Sequence, residues 1–507
     1  MKHIHFIGIC GVGMGALAVL WQKKGWLVTG SDVGFYPPVS THLTKHNIKY
    51  YAGWHPEKIG ALPPPLNLPL GQGETARPDL VVVGNVAGSQ NPELKFVLKN
   101  NIPYLSYPEL IEQNLIKTNS IVCAGTYAKT TTTALLAKIL IDAKFNPAYM
   151  FGAVATDLDL SADDRGGQYS IIEGDEYKTS RTDPSAKFFH YHSTHLLLTS
   201  ATWDHADVYP TEKLYLEAFK KLIAQLPKNG LLVVSEKALS VIPNPRRGEK
   251  SPSANSCDNG DPSLDAWNDK KLRIVTYGAN TNCDYQYTDV LSTKSGLTFK
   301  IKHQSETAPR SEPSGSTTGV YNLKSEILGD YMADNICGAF ALAESIGIAP
   351  QQIIASVKNF HGIKRRLENR GTTTTGATVF DDIAHSPTKA QAVLKSLKQI
   401  YSGKIIAIFE PNTGNRELQS VPAYANAFNN ATEVVIPRLT KIKTTIDSKH
   451  LNGEELSKII KNSQPNTKYI DDDEKLVEYI KDNTGPDDCA VFLGSHGWRG
   501  MIEELLK

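Results

Sequence analysis

The sequence predicts an α/β protein of three domains. Three observations carry this. Short apolar runs alternate with helix-length amphipathic segments along nearly the whole chain. Two glycine-bearing loops each sit between such a run and a helical pattern. The 507-residue length suits about three or four domains of roughly 150 residues.

Residues 1 to about 105 read as strand HIHFIG, helix 14–24, strand WLVTGSD, strand LVVVGN (80–85), helix NPELKFVLKN and strand IPYLSY. A Pro/Gly-rich loop, ALPPPLNLPLGQGETARP, interrupts them. Regular alternation of this kind places strands in a parallel sheet with helices on its faces. From about 118 the pattern restarts with strands SIVCAGT, YSIIEGD, HLLLTSA and GLLVVS, and with helices over about 129–143 and 211–227. RIVTYG, YQYTDV and LTFKIK read as further strands. They lie between two polar stretches, about 244–270 and 303–319, whose Ser, Pro, Asn and Asp content predicts flexible surface insertions. The third unit opens with a helix in GDYMADNICGAFALAESIGI and continues with strands ATVFDDI, KIIAIFEP and CAVFLGS.

Hydrophobic residues make up 40% of the chain and charged residues 21%, a soluble globular balance with apolar material for several cores. A net charge of +1 gives no electrostatic drive toward nucleic acid or an anionic membrane, so neither is expected as a partner. Six scattered cysteines without a C-x-x-C pair read as reduced thiols of a cytoplasmic protein. The start, MKHIHFIGICGVGMGALAVLW, has the basic and apolar character of a secretion signal. Its glycines at turn spacing and the strand that follows favour a strand–loop–helix unit instead. No other stretch is long and apolar enough to span a bilayer. A monomer or weak dimer is expected.

Gly8, Gly11, Gly13 and Gly15 lie between a strand and a helix, and Asp32 ends the next strand. That layout can seat a pyrophosphate at a helix N-terminus with the acid near a sugar hydroxyl; a tight turn without a ligand is the plainer alternative. In AGTYAKTTTT, Gly125 and Thr126 end a strand and Lys129 with Thr130 opens a helix. Backbone N–H groups there would face phosphates, the lysine would meet the outer ones, and a threonine hydroxyl would reach Mg²⁺. A threonine-capped helix start explains the same residues without a nucleotide. Glu173, Asp175 and Glu176 follow one strand, and Asp204, His205 and Asp207 follow another. Carboxylate and imidazole at parallel strand ends beside a phosphate loop suit a divalent metal, although ordinary loop polarity accounts for either stretch alone. Arg365 and Arg366 present a possible phosphoryl clamp or surface ion pairs. Asp382 and His385 lie at a strand-to-helix turn, a natural ligand edge, where His385 also suits a helix cap.

Taken in order, GICGVGMGALA…GSD, AGTYAKTTTT, EGDEY, DHAD, RRLENRG and DDIAHSPT resemble the ATP-dependent Mur ligases of peptidoglycan synthesis, over nearly the whole chain apart from the two insertions. The resemblance implies a Rossmann-like UDP-sugar domain (1–107), a central P-loop ATPase domain with a mostly parallel sheet (108–325) and a C-terminal Rossmann-like domain (326–507). It implies ATP and Mg²⁺ as cofactors. Lys129 would act on the ATP phosphates, with Gly125, Thr126, Ala128, Thr130 and Thr131 lining the loop. Thr130, Glu173 and His205 would bind metal, and Asn335 would contact adenine. Arg365 or Arg366, with Asp382 and His385, would come from the third domain. Gly8, Gly11, Gly13 and Asp32 would hold the uridine diphosphate. Within the family, GSDVGFYPPVSTHL, GNVAGSQNPELKFVLKNNIPYLSYPELI and SAKFFHYHSTHLLLTSATWDHADVYP are most similar to the branch that joins UDP-N-acetylmuramate to the murein tripeptide L-alanyl-γ-D-glutamyl-meso-diaminopimelate in wall recycling. The branch that adds L-alanine alone usually lacks YPP after GSD and is one alternative; a relative that binds without catalysis is another.

Several family positions differ. Ala128 replaces the loop glycine, Tyr331 and Met332 replace a His-Asn pair, Ser386 a histidine and Asn412 an arginine. Thr199, Ser200 and Thr202 stand for two amides and an acid. An alanine resists positive φ, and each lost buried partner costs about 1–3 kcal/mol. Arg416 or Arg499 is the expected stand-in for the missing arginine.

Overall fold

The computed structural model describes residues 1–35, 39–59, 77–180, 183–205, 208–242, 271–304, 319–440 and 450–507. The insertion expected at 244–270, most of the one at 303–319, the YPP stretch, the Pro/Gly-rich loop up to residue 76 and Asp207 lie outside them.

Three sheets organise the described residues, as the alternating pattern predicts. The first is five-stranded and parallel, in the order Lys49–Ala52, Leu27–Asp32, His3–Ile7, Leu80–Val83, Tyr104–Ser106. The chain starts in the middle and winds outward in both directions. The strand order therefore reverses beside His3–Ile7, where crevices for ligands form in open α/β sheets. The second sheet has ten strands. At its centre Asn119–Ala124 pairs in parallel with His195–Leu198 on one side and Tyr169–Gly174 on the other. Their nearly continuous apolar sequences are those of strands covered on both faces. The third sheet has six strands, parallel except where Glu368–Thr372 runs antiparallel to Thr378–Asp382.

The chain divides into two compact units. One comprises Met1–Asp289, Phe299–Leu323 and Ala333–Phe360; the other comprises Val290–Thr298, Lys324–Met332 and His361–Lys507. In the first unit one apolar core runs from Ile4, Phe6 and Leu17, through Leu110, Val122 and Phe188, to Leu232 and Ile242, and a smaller one, with Ile7, Val81 and Val97, lies on the first sheet. The first two sheets thus share one interior. Lys24 and Lys117 reach Asp164 at 3.4 and 3.0 Å, and Asn85 Nδ2 donates to the Lys178 carbonyl at 3.0 Å, so polar contacts reinforce the junction. In the second unit Ile405, Ala407 and Phe409 face one core and Ile406 and Ile408 the other, the two-residue period of a strand buried on both sides. Each fully buried isoleucine or phenylalanine among them contributes about 1.5–3 kcal/mol.

No helix among the described residues is long and apolar enough to cross a membrane. The five described cysteines are free thiols, and Cys257 lies outside the described residues.

Candidate active site

Strand Asn119–Ala124 ends below a four-residue loop, and helix Lys129–Asp142 begins directly after it. Gly125 adopts φ +135°, and a Cβ there would run into the Thr199 side chain and the Ser200 backbone. Ala128, the helix N-cap, is held at φ +69°, ψ −10°, in the left-handed region. The loop therefore needs positive φ where the sequence supplies alanine, at a cost of about 1–2 kcal/mol. Thr199 Oγ1 donates to the Tyr127 carbonyl at 2.6 Å, and the Tyr127 N–H donates to Ser200 Oγ at 3.0 Å. The Thr126 N–H reaches the Ser200 carbonyl at 3.2 Å, and Thr126 Oγ1 donates to the Thr202 carbonyl at 2.6 Å. Four bonds at about 1 kcal/mol each outweigh the alanine strain. The residues that depart from the family lead-in (Thr199, Ser200, Thr202) are those that clamp the loop.

The loop opens onto the ends of the neighbouring strands, where the acids lie. Lys129 Nζ is 2.8 Å from the fully buried Glu176 carboxylate and also donates to the Gly125 carbonyl at 2.7 Å. Burial works against the ammonium, but Glu176, Asp175 and Glu173 together outweigh it and hold the Lys129 pKa above the ordinary lysine value. His205, with φ +58°, places Nε2 3.3 Å from Glu176. That hydrogen bond, opposed by burial and helped by Asp204, raises the imidazole pKa. Asp175 is half-buried, and desolvation favours its neutral form, yet Lys187 at 2.5 Å and Lys129 keep its carboxyl below the usual range.

Thr130 Oγ1 donates to Glu173 Oε1 at 2.7 Å, and Glu173 Oε2 accepts the Gly152 N–H at 2.6 Å. A hydroxyl and a carboxylate are the oxygen donors that Mg²⁺ prefers, so this pair fits such an ion. His205 lies on Glu176 rather than on Glu173. Among the described residues no three His, Cys, Asp or Glu side chains are arranged to hold a metal without outside ligands. Thr131, on the same first turn, is half-buried. The spacing of the motif names Lys129, Thr130 and Glu173. It does not distinguish Glu176 from the two other acids of its stretch, and nothing in the pattern announces Tyr215, whose hydroxyl meets both Thr126 Oγ1 (2.8 Å) and Glu176 (3.4 Å).

In the first sheet Gly8 has φ +89°, and a Cβ there would collide with Val86; one on Gly13 would meet the Tyr107 ring. Gly11 caps helix Val12–Lys23 in extended conformation. Asp32 is buried and braces the loop itself, accepting the Cys10 N–H at 2.9 Å and the Val33 N–H at 2.7 Å; burial raises its pKa. Asn335 is buried on helix Tyr331–Ser345, beside Asp334, which pairs with Lys237 at 3.0 Å.

In the second unit the two candidate arginines differ. Arg365 is built into the fold: its guanidinium meets Asp381 at 3.3 Å and the carbonyls of Gly494, Ser495 and His496 at 2.5, 3.1 and 2.9 Å. Arg366 is exposed, and its charge acts on Asp382. Asp382 is buried, which raises its pKa, and accepts the Leu367 and Ala384 N–H groups at 2.6 and 2.8 Å. His385 rests on the Ile383 carbonyl at 2.8 Å, its pKa lowered by burial and by Lys389. Ser386 caps helix Pro387–Ile400, and Asn412 caps the following turn. The two expected stand-ins for the missing arginine are engaged elsewhere. Arg416 donates to the Thr440 and Leu451 carbonyls, and Arg499 pairs with Asp473 and Glu410.

Comparison with known proteins bears on the family. Family models for the Mur ligase family catalytic domain, the Mur ligase middle domain and the Mur ligase glutamate ligase domain match residues 3–117, 123–244 and 365–496. The chain is 29% identical over 421 residues to the UDP-N-acetylmuramate–L-alanyl-γ-D-glutamyl-meso-2,6-diaminoheptandioate ligase of Haemophilus influenzae, covering 82% of this chain and 81% of that one. It is 26% identical over 495 residues to the UDP-N-acetylmuramate–L-alanine ligase of Desulfitobacterium hafniense, covering 97% of both. Its fold matches the crystal structure of the UDP-N-acetylmuramate–alanine ligase of Thermotoga maritima with a TM-score of 0.73 at 20% identity, over 100% of this chain and 98% of that one. With its three sheets, its phosphate-type loop and three matching domains in the family's order, the chain belongs to the Mur ligases, ATP-dependent enzymes that form amide bonds.

Proposed function

We propose that this ligase joins UDP-N-acetylmuramate to the murein tripeptide L-alanyl-γ-D-glutamyl-meso-diaminopimelate, in the cytoplasm, as a step of peptidoglycan recycling. The 29% identity with a relative of that name supports the tripeptide. The observation that carries the chemistry is the convergence of Lys129, Glu176 and His205, with the Thr130–Glu173 pair, at the ends of adjacent parallel strands.

In this reading the sugar's lactyl carboxylate attacks the γ-phosphorus of ATP and ADP leaves. The resulting acyl phosphate gives the carboxyl carbon a leaving group better than oxide. The tripeptide's α-amine adds to that carbon, and the tetrahedral adduct expels phosphate and loses a proton, leaving the amide. Such a reaction asks the protein mainly for positioning and charge neutralisation. Lys129 would turn from the loop carbonyls to the transferring phosphoryl, and the backbone N–H groups of 126–130 would face the phosphates at the positive end of helix Lys129–Asp142. Mg²⁺ held by Thr130 and Glu173 would offset the charge of the triphosphate. Asp32 and the Gly8–Gly13 turn would seat the uridine diphosphate, Asn335 the adenine, and the exposed Arg366, rather than Arg365, would be the arginine for a phosphoryl group.

L-alanine is the second reading, favoured by the 97% coverage of its ligase relative. The test offers L-alanine and the tripeptide separately, with UDP-N-acetylmuramate and ATP, and follows ADP release together with the mass of the product. Preference for the tripeptide is expected; preference for L-alanine would overturn the recycling assignment.

A further inference from the structure

Glu176 is the one acid of its stretch whose side chain is wholly removed from solvent, so it does not reach a substrate itself. It lies where three elements meet. Its carboxylate takes Lys129 at 2.8 Å, His205 at 3.3 Å and the Tyr215 hydroxyl at 3.4 Å; its carbonyl accepts the Tyr209 hydroxyl at 2.6 Å. The contacts of Lys129 complete the picture. An ammonium has three protons, and here they are directed at the Gly125 carbonyl (2.7 Å), the Thr126 carbonyl (3.3 Å) and Glu176, all acceptors of the chain itself. The lysine is therefore folded back on its own loop.

Building on the ligase reading above, we infer that Glu176 is a positioning residue that shares one carboxylate between Lys129 and His205, storing the ammonium on the loop and fixing the imidazole beside it. When phosphate oxygens take over Lys129, Glu176 keeps the hydrogen bond to His205, so the exchange leaves the second group in place. The arrangement has a cost. A carboxylate a few ångströms from the phosphate seat repels a triphosphate, so the same residue lowers nucleotide affinity while supporting turnover.

That opposition separates the inference from a purely structural buried pair. The experiment measures calorimetric Kd for a non-hydrolysable ATP analogue, and kcat by ADP release, in the wild type, Glu176→Gln and Glu176→Asp. Glu176→Gln keeps shape and loses charge: the analogue should bind about tenfold tighter while kcat falls at least about tenfold. Glu176→Asp keeps charge but is one methylene too short to span both partners: Kd should stay within about twofold and kcat should fall. Weaker binding and slower turnover in equal proportion for Glu176→Gln, or wild-type kcat in either variant, would overturn the inference. If Glu176→Gln does not fold, Glu176→Asp with wild-type kcat overturns it alone. A wild type that releases no ADP with either amine retires the ligase reading instead, and the Kd comparison still tests the charge arrangement.

Discussion

The Thr199 hydroxyl donates to the Tyr127 carbonyl at 2.6 Å, across 72 residues of sequence, and so ties the end of one central strand to the loop above its neighbour. Together with Ser200 and Thr202 it holds Ala128 in a backbone conformation that alanine disfavours.

Ala128→Gly should therefore relieve strain. Left-handed geometry costs alanine about 1–2 kcal/mol, and the greater freedom of glycine in the unfolded chain takes back part of that, leaving a gain of about 0.5–1 kcal/mol. A denaturant midpoint that rises, with KM for ATP equal to or below that of the wild type, is the expected result. A lower midpoint would show that the loop does not carry this strain.

Lys129→Met should abolish turnover by about three orders of magnitude and also destabilise the protein, because Glu176 is left buried without its cation. Adding Glu176→Gln should restore most of the stability and none of the activity. Binding of the UDP-sugar should stay near normal throughout. If the double variant is no more stable than Lys129→Met, the pair is not the source of the loss.

The two arginines make opposite predictions. Arg365→Ala strips a partner from Asp381 and from three backbone carbonyls and should cost about 2–3 kcal/mol. Arg366→Ala, at an exposed position, should leave stability within about 0.5 kcal/mol and lower kcat at least about tenfold. Thermal melts and ADP release on the two variants check both; wild-type kcat for Arg366→Ala would remove it from the mechanism.

His5 is fully buried, stacked on Tyr51, with Nδ1 on Thr29 Oγ1 at 2.8 Å; burial, aided by neighbouring His3, lowers its pKa from 6.5 to about 3. The unfolded chain therefore takes up a proton below pH 6.5 that the folded chain refuses until about 3. Stability rises with pH wherever the unfolded state binds more protons, so it should be lost as pH falls through this window, by about 2 kcal/mol between pH 8 and pH 5. Unfolding of the wild type and His5→Asn at both pH values tests this: the variant should lose less, and parallel profiles would contradict it.

Strands and helices with long or continuous apolar patterns were legible in the sequence. Asn119–Ala124, Tyr169–Gly174 and His195–Leu198 fall where their apolar runs predict, although the first stops before Gly125, whose φ of +135° leaves the strand region. Ala148–Met150 and Ala162–Asp164 escaped because three residues show no period, and Gly319–Ser325 begins where an insertion was expected to end. The site divides along the same line. Lys129, Thr130 and Glu173 are named by local spacing, since a strand, a tight loop and a helix place them together. The clamp by Thr199 and Ser200, the burial of Glu176 and the capture of Arg365 by the carbonyls of 494–496 depend on contacts between distant segments, which no local pattern encodes.

The interior shared by the first two sheets bears on how the chain comes apart. A fragment ending near residue 107 would present, as bare surface, apolar side chains that the central sheet normally covers, and it should aggregate rather than stand alone as a sugar-nucleotide receptor. Heating should likewise melt the first two sheets in one cooperative step, with no intermediate in which the five-stranded sheet survives by itself.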